Sequence, residues 1–461
     1  MISQNSLSFN QKLFTFNTMM LISIFFMCII SQFTYSVSQN KKEKSTLEDI
    51  EKNAKNQNRN IKENQNINIK ENQNTNIKEN QNINIKENQN INIKENQNIN
   101  IKELNENWFE NYLDFYNKTL DEITTFSKKN AKFVVFRAVD GLGNRLMGLV
   151  ASFLFSILTD RIFIIDWPYQ DGHITQVYDL MKQPLFNWDF DSVANFYDEK
   201  EIYQTAAYFD FADHEDMSLF LCEDFQTKLD KYQFIFMRTN NYFSPAMMNN
   251  KFFIKKLESK FTQKQIHSMF STLGNKIIIP IDSIQAKVDD FVEKNHFHSP
   301  GKYPIGIHLR NLYIHSSLNN SWIWSCANSI LENKIQENPE MQNLEPIWFI
   351  STDNIKDKKE AKANYPDRFL SRDIILDRNS IEGNQESFVD MLLLSHCNDI
   401  LTLYARSSFT YVSHGLADIN PYVKKCNHLP SSEPCFHGFR QLSKTQCFES
   451  TIINNLRTEC S

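Results

Sequence analysis

Three short stretches of this chain combine residue types suited to holding an anion. Asp140-Gly-Leu-Gly-Asn-Arg-Leu146 places Gly141 and Gly143 where a backbone can turn sharply and approach a ligand, just ahead of a helix-period run. Ile305-Gly-Ile-His-Leu-Arg310 ends in His308 and Arg310, which alternation puts on one face, and the guanidinium of Arg310 is a planar fork that fits a diphosphate. Ser407-Ser408 precedes the apolar run TYVSHGLA, so hydroxyls and free helix amides can form a second anion cradle. Charge-assisted hydrogen bonds of this kind contribute roughly 1.5 to 3 kcal/mol each, enough in combination to hold a nucleotide diphosphate and stabilise it as a leaving group.

These groups need strands that end together. KFVVFR (from Lys132), the glycine turn, the run LMGLVASFLFSILTD and RIFIID (ending at Asp166) read as strand, turn, helix and strand, a βαβ unit. A second alternation starts near Pro304. The strand IGIHLR is followed by a helical pattern over residues 321–333, the strand PIWFISTD ending at Asp353, and a helix over 356–365. An apolar helix over 388–397, a short strand over 400–403 and the helix after Ser408 complete it. The expected class is α/β with two doubly wound halves, ligands lying at the carboxyl ends of the strands. The chain contains no GxxxxGK[ST], which excludes a P-loop kinase or sulfotransferase, and Asp189-Phe-Asp191 reads as a chance DxD rather than a metal site.

The rest of the chain frames these halves. Leu13 to Ile30 is uncharged and long enough to span a bilayer, as a retained signal anchor or a cleaved signal peptide within residues 1–40. Residues 41–108 form a low-complexity stem built on the eight-residue unit NIKENQNI, too poor in apolar residues to pack, with a random-coil reach of roughly 45 Å. Folded segments are expected over 109–300 and 301–461. Of eight cysteines, Cys426, Cys435, Cys447 and Cys460 cluster at the end, and in an oxidising compartment they read as a local disulfide framework for a loop-rich tail. The odd number left after Cys28 is set aside predicts a free thiol, with Cys397 the candidate. Sequons stand at Asn117 and Asn319. A net charge of −6 gives no overall basic field and argues against nucleic acid as a partner.

Taken together, KFVVFRAVDGLGNRLMGLVASFLFSILTDRIFIID, IGIHLR, FISTDN, DMLLLSHCNDILTLYARSSFTYVSHGLA and the closing EPCFH resemble the plant xyloglucan-type α-1,2-fucosyltransferases, within the wider GDP-fucose fucosyltransferase superfamily. The similarity runs from about Lys132 to His437. It implies two Rossmann-like domains facing a cleft (the GT-B type), an acceptor-side domain over 109–300 and a GDP-sugar-binding domain over 301–461. It also implies a type II Golgi membrane enzyme, anchored in the lipid bilayer through its N-terminal segment with a lumenal catalytic part; a secreted form is the alternative. The reaction implied is transfer of L-fucose from GDP-fucose to a galactoside hydroxyl of a glycan acceptor, with inversion and without a metal or other cofactor.

By the same resemblance Arg310 with His308 would contact the β-phosphate, and Asp353 with Ser407 and Ser408 would bind guanosine and phosphates. Gly141, Gly143, Asn144 and Arg145 would line the cleft from the first domain, Arg145 counting with Arg310 and Asp166 as catalytic, and Cys435 would be disulfide-bonded. The position that carries Asp in the HxRxxD pattern of the α-1,6 and protein-O branches is Tyr313 here. Inversion calls for a base to take the acceptor proton; Asp166 is the expected one and Asp140 the second choice. Two other functions stay open at this level: fucosylation of a protein or of an N-glycan core, and a carbohydrate-binding protein without catalysis.

Overall fold

The computed structural model describes residues 106–125, 130–168, 174–194, 196–210, 218–310, 321–374, 379–402, 407–423 and 426–434. The N-terminal apolar segment, the repeats, Asn319, Cys435, Cys447 and Cys460 lie outside the described residues. Among the described residues no helix is long and apolar enough to cross a membrane.

Helix α1 (Trp108–Thr125) leads into strand β1 (Phe133–Ala138), helix α2 (Leu142–Leu158) and strand β2 (Ile162–Asp166). Helices α3 (Phe190–Ala194) and α4 (Glu199–Gln204) precede β3 (Ala206–Asp210) and β4 (Phe234–Thr239), and α5 (Met269–Ile277) and α6 (Asp282–Lys294) follow. The four strands form one fully parallel sheet in the order β2-β1-β4-β3. A second set then begins with β5 (Lys302–Leu309), α7 (Ser321–Glu337), β6 (Glu345–Thr352), α8 (Ile355–Asn364) and β7 (Phe369–Leu370). It continues with α9 (Ile381–Ser395), β8 (Asp399–Thr402), α10 (Ser408–Ala417), β9 (Tyr422–Val423) and β10 (Asn427–His428). These strands form a six-stranded sheet in the order β10-β9-β8-β5-β6-β7, parallel except for β10.

The strands are near-continuous apolar runs because helices cover them. Strand β1 is Phe-Val-Val-Phe-Arg-Ala, and only Arg137 of it is exposed. A single hydrophobic core joins Phe133, Phe136, Leu149 and Phe153 of the first half to Phe349, Phe388, Leu394 and Tyr411 of the second. The period of two along β6 puts Trp348 and Ile350 on the other face, in a smaller cluster with Trp324 of α7.

Two helices, α2 and α9, start differently from the sequence expectation. Helix α2 begins at Leu142 with Gly141 as N-cap, so Gly143 lies inside its first turn rather than in a loop. The left-handed residue of that turn is Asp140, at φ 63°, and not a glycine. Helix α9 begins seven residues before its apolar pattern, at Ile381, where the Ser380 hydroxyl accepts the amide of Gly383 at 2.9 Å.

The cysteines also depart from expectation. Cys426 pairs with Cys326 of α7, a hundred residues away, and not with its neighbours in the tail. The chain returns to the sheet edge as β9 and β10, and this bond ties that edge to the helix covering the outer face. Cys222 is disulfide-bonded as well. Cys397 is free and buried, as the odd count required.

Candidate functional site

The carboxyl ends of β1, β5 and β6 and the start of α10 meet at a cleft of about 420 Å³. Asp140, Gly141, Gly143, Asn144, His308, Arg310, Asp353 and Ser408 all line it. Residues from two stretches more than 160 positions apart are thus brought to one place, where α/β sheets bind ligands. Among the described residues neither α2 nor α10 has a side-chain hydrogen bond at its N-cap. Their first-turn amides and positive dipole ends open toward the same space. Gly143 makes this possible: a Cβ there would lie 2.7 Å from the carbonyl carbon of Ser408.

His308 is held as a neutral ring. Burial first, and the neighbouring Arg310 second, push its pKa down to about 3. The ring stacks on Phe409 at 4.8 Å, and its Nδ1 bonds the hydroxyl of Thr410. That hydroxyl also pairs with the hydroxyl of Thr402 at 3.3 Å, which fixes the ring's position. Arg310 is therefore the cation on this strand, and His308 is a neutral polar ring beside it.

The opposite wall rests on a buried ion network. The hydroxyl of Ser351 donates to Asp390 at 3.0 Å, and Arg372 bonds both Asp390, at 3.1 Å, and Glu386. Burial raises the Asp390 pKa, and Arg372 acts against that rise. This network fixes the end of β6, from which Ser351, Thr352 and Asp353 face the cleft. Sequence reading missed Asn384 and Ser387, one turn apart on α9, because it began that helix after them. Ser380, a residue type suited to an N-cap, was the signal that places them on a helix.

Three expected site residues lie elsewhere. Ser407 is buried with an Oγ that has no hydrogen-bond partner among the described residues, and Ser408 alone of the pair faces the cleft. Arg145 is buried behind the turn: its Nε donates to the carbonyl of Asp140 at 2.8 Å, and its guanidinium lies over Trp167 at 5.1 Å. It holds the left-handed Asp140 in place and does not line the cleft. Asp166 is ion-paired with Arg137 at 2.8 Å and also lies outside the lining, whereas Asp140 is in it and accepts a hydrogen bond from the Asn240 amide. Asp189, of the DxD, accepts the hydroxyl of Tyr178 away from the cleft. Among the described residues no group of three or more His, Cys, Asp or Glu is placed to hold a metal. Asn117 is exposed on α1.

Fold and cleft together define the class: an α/β protein in which two parallel sheets open their carboxyl ends on one anion-collecting site. A profile of the xyloglucan fucosyltransferases matches residues 110–197 and 189–338. The galactoside 2-alpha-L-fucosyltransferase of Pisum sativum is 25% identical over 387 residues, a match spanning 71% of this chain and 66% of that protein. The Arabidopsis thaliana protein of the same name is 24% identical over 397 residues, spanning 74% of this chain and 70% of that protein. The chain thus matches about two thirds of the length of these relatives. A solved structure of an Arabidopsis thaliana FUT1 mutant in complex with GDP superposes with a TM-score of 0.53 at 22% identity, covering 72% of this chain and 84% of that one, a likeness in fold. This chain belongs to the xyloglucan fucosyltransferase family.

Proposed function

We propose that this protein is a fucosyltransferase that moves L-fucose from GDP-fucose to a galactoside hydroxyl, forming an α-1,2 linkage with inversion. The observation that carries the reading is the convergence of Arg310 and the uncapped starts of α2 and α10 on one cleft. The bond from the fucose carbon to the β-phosphate oxygen breaks with its electrons staying on that oxygen, so GDP leaves with a dianionic terminal phosphate. The Arg310 fork and two sets of first-turn amides meet that charge with the chain's own groups, so the reaction is expected to run without a metal. Asp353, at the end of β6, offers a polar partner for the nucleoside.

The two sheets serve as Rossmann-like halves in a GT-B arrangement, residues 109–300 on the acceptor side and 301–461 on the donor side. Asp140 is the carboxylate of the first half that lines the cleft, and it takes the acceptor proton as the glycosidic carbon moves from GDP to the hydroxyl oxygen. Arg145 ties its left-handed backbone and the Asn240 amide donates to the carboxylate itself, which together fix where that carboxylate stands. Asp166 is already engaged by Arg137. The N-terminal apolar segment serves as a Golgi type II anchor, with the stem carrying the catalytic part into the lumen; the Cys326–Cys426 bond suits that oxidising compartment.

The test is GDP release from GDP-fucose by the full chain in EDTA, with and without a panel of galactosides. The reading requires acceptor-dependent release that survives EDTA and collapses in Arg310→Ala. Turnover of another sugar nucleotide in place of GDP-fucose overturns the donor assignment.

A further inference from the structure

The face of the first sheet turned away from α2 carries an ordered surface that none of the donor chemistry uses. In register across the strands stand Asp210 of β3, Arg238 of β4, Arg137 of β1 and Asp166 of β2. The row is paired at both ends, Arg137 with Asp166 at 2.8 Å and Arg238 with Asp210 at 2.8 Å, and sums to zero charge. Two residues back on the same face, Tyr208 stacks on Phe236 at 4.8 Å, and Tyr203 of α4 stacks beside Tyr208 at 6.2 Å. Both tyrosines are more than half exposed, at 58% for Tyr203 and 53% for Tyr208.

The geometry points to this face as the acceptor groove: a platform for a neutral, galactose-terminated oligosaccharide, with Tyr208 stacking under a pyranose ring and the Arg–Asp row bonding its hydroxyls. Three observations select that occupant. An exposed, stacked aromatic pair offers area to the apolar C–H face of a sugar, with each ring already fixed by its neighbour. The guanidinium–carboxylate pairs offer paired donors and acceptors that match vicinal hydroxyls, while their zero net charge gives no field for a polyanion. The row also stands near the cleft. Arg137 precedes Asp140 by three residues, so it lies at most about 10 Å from the proposed base along the strand direction. The inference rests on the fucosyltransferase reading and adds the residues that select its acceptor.

The experiment titrates the full chain calorimetrically with galactose-terminated oligosaccharides, lactose and longer, and with GDP as a separate ligand. Tyr208→Ala, Tyr208→Phe and Arg238→Gln are compared with wild type after melting temperatures confirm folding. Tyr208→Ala is expected to weaken the longer oligosaccharides by about five- to tenfold, Tyr208→Phe to stay within about twofold, and GDP affinity to be unmoved. In kinetics the same variant raises KM for the acceptor and not for GDP-fucose. Wild-type oligosaccharide affinity in both Tyr208→Ala and Arg238→Gln overturns the inference, as does an equal loss of GDP affinity. If GDP-fucose is not turned over while Tyr208→Ala still loses oligosaccharide affinity, the groove stands and the reaction assignment falls.

Discussion

The backbone of Ser408 occupies the space that a side chain on Gly143 would need. A Cβ at Gly143 would sit 2.7 Å from the Ser408 carbonyl carbon, 2.9 Å from its oxygen and 2.8 Å from the amide nitrogen of Phe409. Two helix starts, one from each sheet, are in direct contact there. Backbone cannot move aside as a flexible side chain can, so the added methyl must part the halves. Gly143→Ala is therefore expected to cost about 1 to 3 kcal/mol of stability and to weaken GDP at least tenfold. Thermal unfolding and GDP titration of the one variant check both effects.

Arg310→Ala removes the planar cation of the cleft. Loss of charge-assisted bonds of about 1.5 to 3 kcal/mol corresponds to roughly a ten- to hundredfold weaker GDP complex. Arg310→Lys keeps the charge and loses the fork, so it should recover only part of the affinity. Equal affinities for Lys and wild type would show that charge alone is read.

Asp140→Asn keeps the volume of the side chain and removes the base. A fall in kcat by roughly two to four orders of magnitude, with KM for GDP-fucose held, is expected from steady-state kinetics. Asp166→Asn should leave kcat far closer to wild type, because that carboxylate is committed to Arg137 at the sheet rim.

Glu433 gives a pH dependence that can be isolated. It lies half-buried between the halves, where it accepts the Tyr242 hydroxyl and the Phe270 amide, at 2.8 Å for the latter. Burial raises its pKa from 4.5 to about 7, the two hydrogen bonds opposing the rise. The folded state holds this proton more tightly than the unfolded one. Its stabilising contribution is full below about pH 4.5 and is lost as pH rises to about 7. Glu433→Gln cannot titrate, so the difference in unfolding free energy between variant and wild type should vary between pH 4.5 and 7 and be flat above it. A difference that stays constant across that window would count against the assignment.

The bond between Cys326 and Cys426 closes a loop of about a hundred residues. Restricting so long a loop in the unfolded chain is worth about 2 to 4 kcal/mol in typical cases. The double replacement Cys326→Ala with Cys426→Ala should lower the melting temperature by several degrees and leave GDP affinity near wild type, since the bond lies on the outer face of the second sheet.

The α/β class was legible from the sequence because buried parallel strands write themselves as unbroken apolar runs, such as Phe-Val-Val-Phe and Ile-Gly-Ile, each ending in a polar cluster. His308, Arg310, Gly143 and Ser408 could be singled out for the same reason: they sit where a strand or helix pattern stops, and stopping points are local. What local pattern does not carry is which ends meet. Only the tertiary structure decided that α2 and α10 touch at Gly143 and Ser408, that Cys426 reaches back to Cys326, and that Asp140 rather than Asp166 faces the cleft. Asp166 ends β2 and Asp140 lies two residues past the end of β1, and their sequence surroundings are alike in kind. What separates them is a partner across the sheet: the pairing of β1 with β2 puts Arg137 beside Asp166, while Arg145, one turn into the helix, folds back to hold Asp140 at the opening.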